Sequence, residues 1–238
     1  MVRLSGSNVV VVGGSSGMGA AIAALAAAEG ARVTVSSRSP AQLSAPEGMA
    51  VLPLDLGIPQ SITDFSASLE SIDHLVVTAH AATTLRTLKP VQAIDLADLE
   101  AVFRVKLFGT LRLVGACLPM MTRRSSITLF SGAASRRTIP NHVGLGALNA
   151  AVEATGRQLA KELAPIRVNV LSPGLVRTPA YDAMPAAERE AMFSARSAAL
   201  PVGRVGTADD IALATIHLMC NGYITGTVQD IDGGALLG

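Results

Sequence analysis

Apolar positions along this chain follow two rhythms that alternate. Short runs rich in valine, isoleucine and leucine lie at Val9–Val12, Arg32–Ser36, Ala50–Leu54, His74–Thr78, Ser126–Ser131, Val168–Leu171 and Val228–Ile231. Such runs read as strands, the first of them buried on both faces. Between them apolar residues recur at helical spacing, which predicts helices near Gly17–Glu29, Ser61–Leu69, Leu99–Met121, Leu145–Ala164 and Asp209–Met219. The alternation implies parallel strands joined by helices. The expected fold is α/β: a single doubly wound Rossmann-type domain over residues 1–238, with a parallel sheet of about seven strands and helices on both faces. Ala180 to Pro201, with Tyr181, Met184, Met192 and Phe193, reads either as an amphipathic lid or as ordinary core packing.

Composition narrows the partners. The chain has 238 residues, of which 50% are hydrophobic and 16% charged, which excludes disorder and allows a substantial core. A net charge of +1 gives no bulk attraction to nucleic acid or to an anionic membrane. No apolar run approaches the roughly 18 residues of a membrane helix. Gly13 and Gly14 interrupt the first apolar run too early for a signal peptide. Cys117 and Cys220 have neither metal nor redox spacing, so buried thiols in a reducing cytoplasm, and no metal, are expected. Arg123-Arg124 falls at the predicted end of a helix, where it suits the negative helix terminus.

Candidate chemistry begins at Val9 to Gly19, VVVVGGSSGMG. A strand that runs through glycines into a helix N-terminus offers free backbone N–H groups and the positive helix end to an anion. Glycines let a pyrophosphate come close. Ligands of doubly wound sheets bind beyond the carboxyl ends of the strands, so the residues after each strand matter most. After the second strand, Ser36-Ser37-Arg38-Ser39 holds no acid to grip a ribose 2′-hydroxyl, and Arg38 is placed to pair with a 2′-phosphate, or else faces solvent. NADP(H) is the expected cofactor. After the third strand, Asp55 can accept from an adenine amino group with Leu56 on the ring, or it caps the turn before Pro59. After the fourth, Thr78 and Ala79 let the backbone near a ribose, and His80 is either a cofactor-side group or a loop residue. After the sixth, Ser172-Pro173-Gly174-Leu175-Val176-Arg177-Thr178 ends the strand sharply.

These pieces resemble the short-chain dehydrogenase/reductase family. The matching residues are Gly13-x-x-x-Gly17-x-Gly19, Ser37-Arg38, Asp55-Leu56, Leu75 to Ala79, Pro173-Gly174-x-x-x-Thr178 and Asp232-Gly233-Gly234, in order along almost the whole chain. The resemblance implies a nicotinamide cofactor at Gly13, Ser15, Ser16, Gly17, Met18, Gly19, Ser37, Arg38, Asp55, Leu56, Thr78, Ala79, Pro173, Gly174, Val176 and Thr178. It also implies a small-molecule substrate and a homodimer or homotetramer built through the two long helices.

The family's catalytic residues do not carry over. Members usually place an Asn on the first long helix, a Ser after the fifth strand, and Tyr-x-x-x-Lys on the second long helix. No Tyr-x-x-x-Lys occurs here, and the tyrosines are Tyr181 and Tyr223. Counting back from Leu159-Ala160-Lys161 puts Leu145 at the tyrosine position and Asn149 at the lysine position. The asparagine position falls on Lys106, and the serine position on Gly132 with Ser131 just before it. Leucine has no ionisable proton. On this count lysine and asparagine are exchanged between the two helices. Lys106, Ser131 and Asn149 are the catalytic candidates; the alternatives are a lysine snorkelling from a helix and a serine at an ordinary strand end. In the loop after Ser131, Arg136 and Arg137 are expected to face water, the alternative being an acidic substrate group, and His142 is a candidate replacement acid. The expected function is an NADP(H)-dependent oxidoreductase with a rearranged site. The alternatives are a non-redox enzyme on this fold and an inactive NADP(H)-binding subunit.

Overall fold

A computed structural model of the chain describes residues 3–38, 48–81 and 84–237. Ser39 of the stretch after the second strand lies outside them. The chain forms β1 (Asn8–Val12), α1 (Gly17–Ala28), β2 (Arg32–Ser37), β3 (Ala50–Pro53), α2 (Pro59–Ala67) and β4 (Ile72–Val77). It continues through α3 (Leu96–Phe103), a π-helical turn (Arg104–Gly109), α4 (Thr110–Cys117), β5 (Met121–Phe130), α5 (Val143–Glu162) and β6 (Arg167–Pro173). The last elements are β7 (Val176–Arg177), α6 (Ala186–Ala199), β8 (Gly206–Thr207), α7 (Ala208–Cys220) and β9 (Val228–Ile231).

Seven strands form one parallel sheet in the order β3-β2-β1-β4-β5-β6-β9. The order reverses between β1 and β4, so a crevice opens there beyond the strand ends. The valines of β1 explain why the sheet is covered twice. Val9 and Val11 pack under α1 and α7 with Ile22, Ala26, Ile211 and Ile216. Val10 and Val12 pack under α2, α4 and α5 with Phe65, Leu113 and Val152. Period-two alternation with both faces apolar leaves no solvated side.

Three expectations need correction. The helix predicted over Leu99–Met121 starts earlier, capped by Asp95, whose Oδ1 accepts from the Ala97 N–H at 2.8 Å. It passes through the π turn and closes in a short 3₁₀ turn, Leu118–Met120. Pro119 cannot continue an α-helix ladder, and the chain turns there into β5. Arg123 and Arg124 therefore end no helix; they lie exposed at the start of β5, before its buried half. Cys117 is buried as expected, but Cys220, at the last residue of α7, is exposed. A short parallel pair, β7 with β8, ties together the two flanks of α6, which sequence periodicity did not predict.

Candidate active site

The glycine turn is locked from both neighbouring strands. Gly13 has φ +86°, and a Cβ on it would stand 2.8 Å from the Ala79 nitrogen and from Thr78 Oγ1. A Cβ on Gly19 would stand 2.2 Å from the Gly13 carbonyl oxygen. Both positions need glycine because backbone meets backbone there. Thr78 Oγ1 sits 3.0 Å from the Val12 carbonyl, to which it donates, and 3.2 Å from that of Gly13. The Gly13 N–H donates to Ser36 Oγ at 3.3 Å. Ser16, at the N-cap of α1, makes no capping side-chain bond, so the first-turn N–H groups face the cleft uncapped.

A cleft of about 400 Å³ opens over this turn. Of the residues expected at a cofactor, Gly13, Ser15, Ser16, Gly17, Met18, Gly19, Ser37, Arg38, Asp55, Leu56, Thr78, Ala79 and Thr178 line it. Pro173, Gly174 and Val176 do not. Pro173 closes β6, Gly174 stands against the Asp232 backbone, and Val176 is buried in the core. His80, Val105 and Ala180 line the cleft as well. Arg38 is exposed and forms no ion pair among the described residues. Asp55 does cap its turn: Oδ1 accepts from the Gly57 N–H at 2.8 Å, and its own N–H donates to Ser61 Oγ at 2.9 Å.

The three catalytic candidates come together at a second corner. The π turn carries Lys106, whose ammonium donates to Asn149 Oδ1 on α5 at 2.7 Å and to the Ser131 carbonyl at 3.2 Å. Burial pushes its pKa from 10.5 down to about 8. Asn149 is buried, and its amide donates to the Gly132 carbonyl at 3.4 Å. Leu145 packs beside Ala81, Val102 and Leu148, an apolar cluster that also holds Val105 and Leu107.

The Ser131 hydroxyl turns to Glu153, one helical turn beyond Asn149, donating to Oε1 at 3.1 Å. The same oxygen accepts from Ser135 Oγ at 2.5 Å and lies 3.4 Å from the Arg136 guanidinium. Arg136 forks onto Asp230 in β9, with one bond of 2.6 Å. Arg136 is thus bound to two carboxylates rather than left to water. Sequence reasoning missed Glu153. The signal was present: Leu145, Leu148, Asn149, Val152, Glu153 and Gly156 share one helical stripe, so a carboxylate stood on the buried face. His142 stands at the N-cap of α5, its Nδ1 2.8 Å from the Pro140 carbonyl.

The segment after β7 is pinned beside the cleft, with Phe193 packed in the interior. Thr178, Pro179 and Ala180 edge the cleft. Arg177 lies 4.3 Å over the Phe193 ring and pairs with Glu190 at 2.5 Å. Tyr181 meets Phe193 edge-on at 5.5 Å.

A parallel sheet with a glycine-rich strand-to-helix turn at its switch point defines the Rossmann class of domains. The family model described as enoyl-(acyl carrier protein) reductase matches residues 12–235. A short-chain dehydrogenase/reductase of Stachybotrys chlorohalonatus is 30% identical over 262 residues, covering 100% of both chains. The chain belongs to the short-chain dehydrogenase/reductase family. Among solved structures, a small-chain dehydrogenase in complex with NADPH is 39% identical at a TM-score of 0.88, with 98% of this chain and 100% of that one covered. The MalC reductase/Diels-Alderase of Malbranchea aurantiaca is 26% identical at a TM-score of 0.88, covering 100% of both. No helix among the described residues is long and apolar enough to cross a membrane.

Proposed function

We propose that the chain is an NADP(H)-dependent oxidoreductase with a rearranged catalytic corner, acting on a small-molecule carbonyl, alcohol or related substrate in the cytoplasm. The observation that carries the reading is the 2.7 Å bond from Lys106 to Asn149. A cation and an amide meet across the two helices that carry the family's catalytic groups, but with their places exchanged. The cleft fits the cofactor: Arg38 stands without a carboxylate partner among the described residues, and the uncapped N-terminus of α1 opens beside the glycine turn. The likeness to a small-chain dehydrogenase in complex with NADPH points the same way.

NADPH, when bound, supplies a hydride. In this reading Arg38 holds its 2′-phosphate, the glycine turn its pyrophosphate, and Leu56 packs on its adenine. An ammonium has three protons, and Lys106 gives one each to Asn149 and the Ser131 carbonyl. The third is free for a substrate oxygen, where the ammonium stabilises developing negative charge. With a pKa of about 8, Lys106 is a usable acid near neutral pH. Asn149 and the Ser131 carbonyl aim the ammonium. Exposed Leu96, Phe108, Leu111 and Val143 on the long helical segments suit a homodimer or homotetramer. The likeness to a reductase/Diels-Alderase favours a second reading, a non-redox reaction in the same pocket.

The test follows NADPH absorbance across a panel of carbonyl substrates. Turnover is expected, with a rate that falls as pH rises through about 8. Lys106→Met should lose roughly 10²- to 10⁴-fold in rate while NADPH affinity changes little. NADPH binding without consumption on any substrate overturns the redox reading and leaves a non-redox enzyme or an inactive binding subunit.

A further inference from the structure

β1 lies between β2 and β4, so the glycine turn has a bank on either side. Arg38 stands on the β2 bank. His80 stands on the β4 bank, one residue beyond Ala79, whose nitrogen closes against Gly13. Both side chains belong to residues that line the cleft. His80 forms no hydrogen bond or ion pair with another described residue. The charged groups that act on it are Lys106 from the π turn and Arg38 from the end of β2. The N-terminus of α1 adds positive potential from below. Asp55 is the carboxylate of the lining, and one of its oxygens is taken by the Gly57 N–H.

A neutral imidazole in a ring of positive groups is a receptor for a proton that arrives with an anion. We propose that His80 is a phosphate-facing residue of the cleft, taking up a proton from solvent as a dinucleotide pyrophosphate settles over the glycine turn. This rests on the reading that the cleft binds NADP(H). His80 is solvent-exposed at the edge of the cleft, where partial desolvation, then Lys106, then Arg38 lower the imidazole from its ordinary 6.5 and favour its neutral form near pH 7. The two negative charges of a pyrophosphate reverse that balance, and the bound imidazolium donates a charge-assisted hydrogen bond. The proton returns to solvent when the nucleotide leaves. Proton uptake occurs only between the free and bound pKa values. Affinity therefore rises as pH falls through that window and levels off below it. Arg38 and His80 divide the labour: Arg38 selects the 2′-phosphate, whereas His80 strengthens binding of the part that NADPH and NADH share.

The experiment is calorimetric titration of NADPH and of NADH into the full chain and into His80→Ala and His80→Gln. Two buffers of different ionisation heat at about pH 7 give the number of protons taken up. The 2′-phosphate itself titrates near 6, so the NADH arm isolates the imidazole. Uptake of a fraction of a proton is expected with NADH in the unmodified chain and not in the variants; with NADPH the 2′-phosphate adds a release common to all three proteins, and the same difference between the unmodified chain and the variants is expected. The variants should bind roughly three- to tenfold more weakly at about pH 6, and the gap should close by about pH 8. Nucleotide binding with the same uptake in the variants overturns the role of His80. A difference between the unmodified chain and the variants seen with NADPH but not with NADH overturns the pyrophosphate assignment. Failure of all three proteins to bind either nucleotide overturns the cofactor reading itself, and this inference with it.

Discussion

The glycine turn that the cleft opens over and the polar cluster around Lys106, which does not line that cleft, are built from different material. At the glycine turn the main chain does most of the work: Gly13 and Gly19 bring backbone against backbone, and Thr78 stitches the strand ends together. At the other corner buried polar side chains carry the geometry, with Lys106 on Asn149 and Ser131 and Glu153 on Arg136 and two hydroxyls. A backbone-built site tolerates almost no added volume but is indifferent to most side chains. A side-chain-built site depends on which polar groups face one another, and here an ammonium and an amide meet across two helical segments. The chain carries the glycine pattern at the first corner and no Tyr-x-x-x-Lys sequence.

The sharpest way to break the contrast is volume at the turn. Gly19→Val forces side-chain carbon into a space where even a Cβ stands 2.2 Å from the Gly13 oxygen. It should destabilise the fold by at least about 3 kcal/mol in urea titration and abolish nucleotide binding. An unchanged denaturation midpoint would show that the turn can open, against its description as locked.

Charge at the second corner gives the next effect. Because the folded-state pKa of Lys106 is lowered to about 8, the unfolded chain holds more protons between about 8 and the ordinary 10.5. Stability should then rise with pH across that window and be lowest below it, with an amplitude of about 3 kcal/mol. Lys106→Met should remove the rise without loss of stability at neutral pH, since no buried charge remains to desolvate. A denaturation series at alkaline pH in both proteins measures it. Parallel pH profiles for the two would place the ammonium in water.

What the sequence reveals follows the same division. The central strands were legible because runs such as Val9–Val12 and Leu75–Val77 are apolar on both faces, and the glycine spacing exposed the turn because only glycine fits there. The break in the first long helix was not legible, since a single π turn shifts the apolar positions by only about one residue. The polar opening of β5, Met121 to Arg124, shows no strand pattern because that half is exposed. Lys106, Ser131 and Asn149 were found only by counting against a resemblance. Glu153, Arg136 and Asp230 lie in α5, the loop after β5, and β9, and no local spacing links residues that far apart.

The most direct test of the central claim is the affinity of the chain for NADPH and NADH, measured side by side with Arg38→Ala. Arg38 lines the cleft and has no ion-pair partner among the described residues, so its guanidinium is available to a 2′-phosphate. The account predicts tighter binding of NADPH by about 1.5–3 kcal/mol, a difference that vanishes in Arg38→Ala while NADH affinity stays the same. Equal affinities in the unmodified chain, or a preference that survives the loss of Arg38, would contradict it.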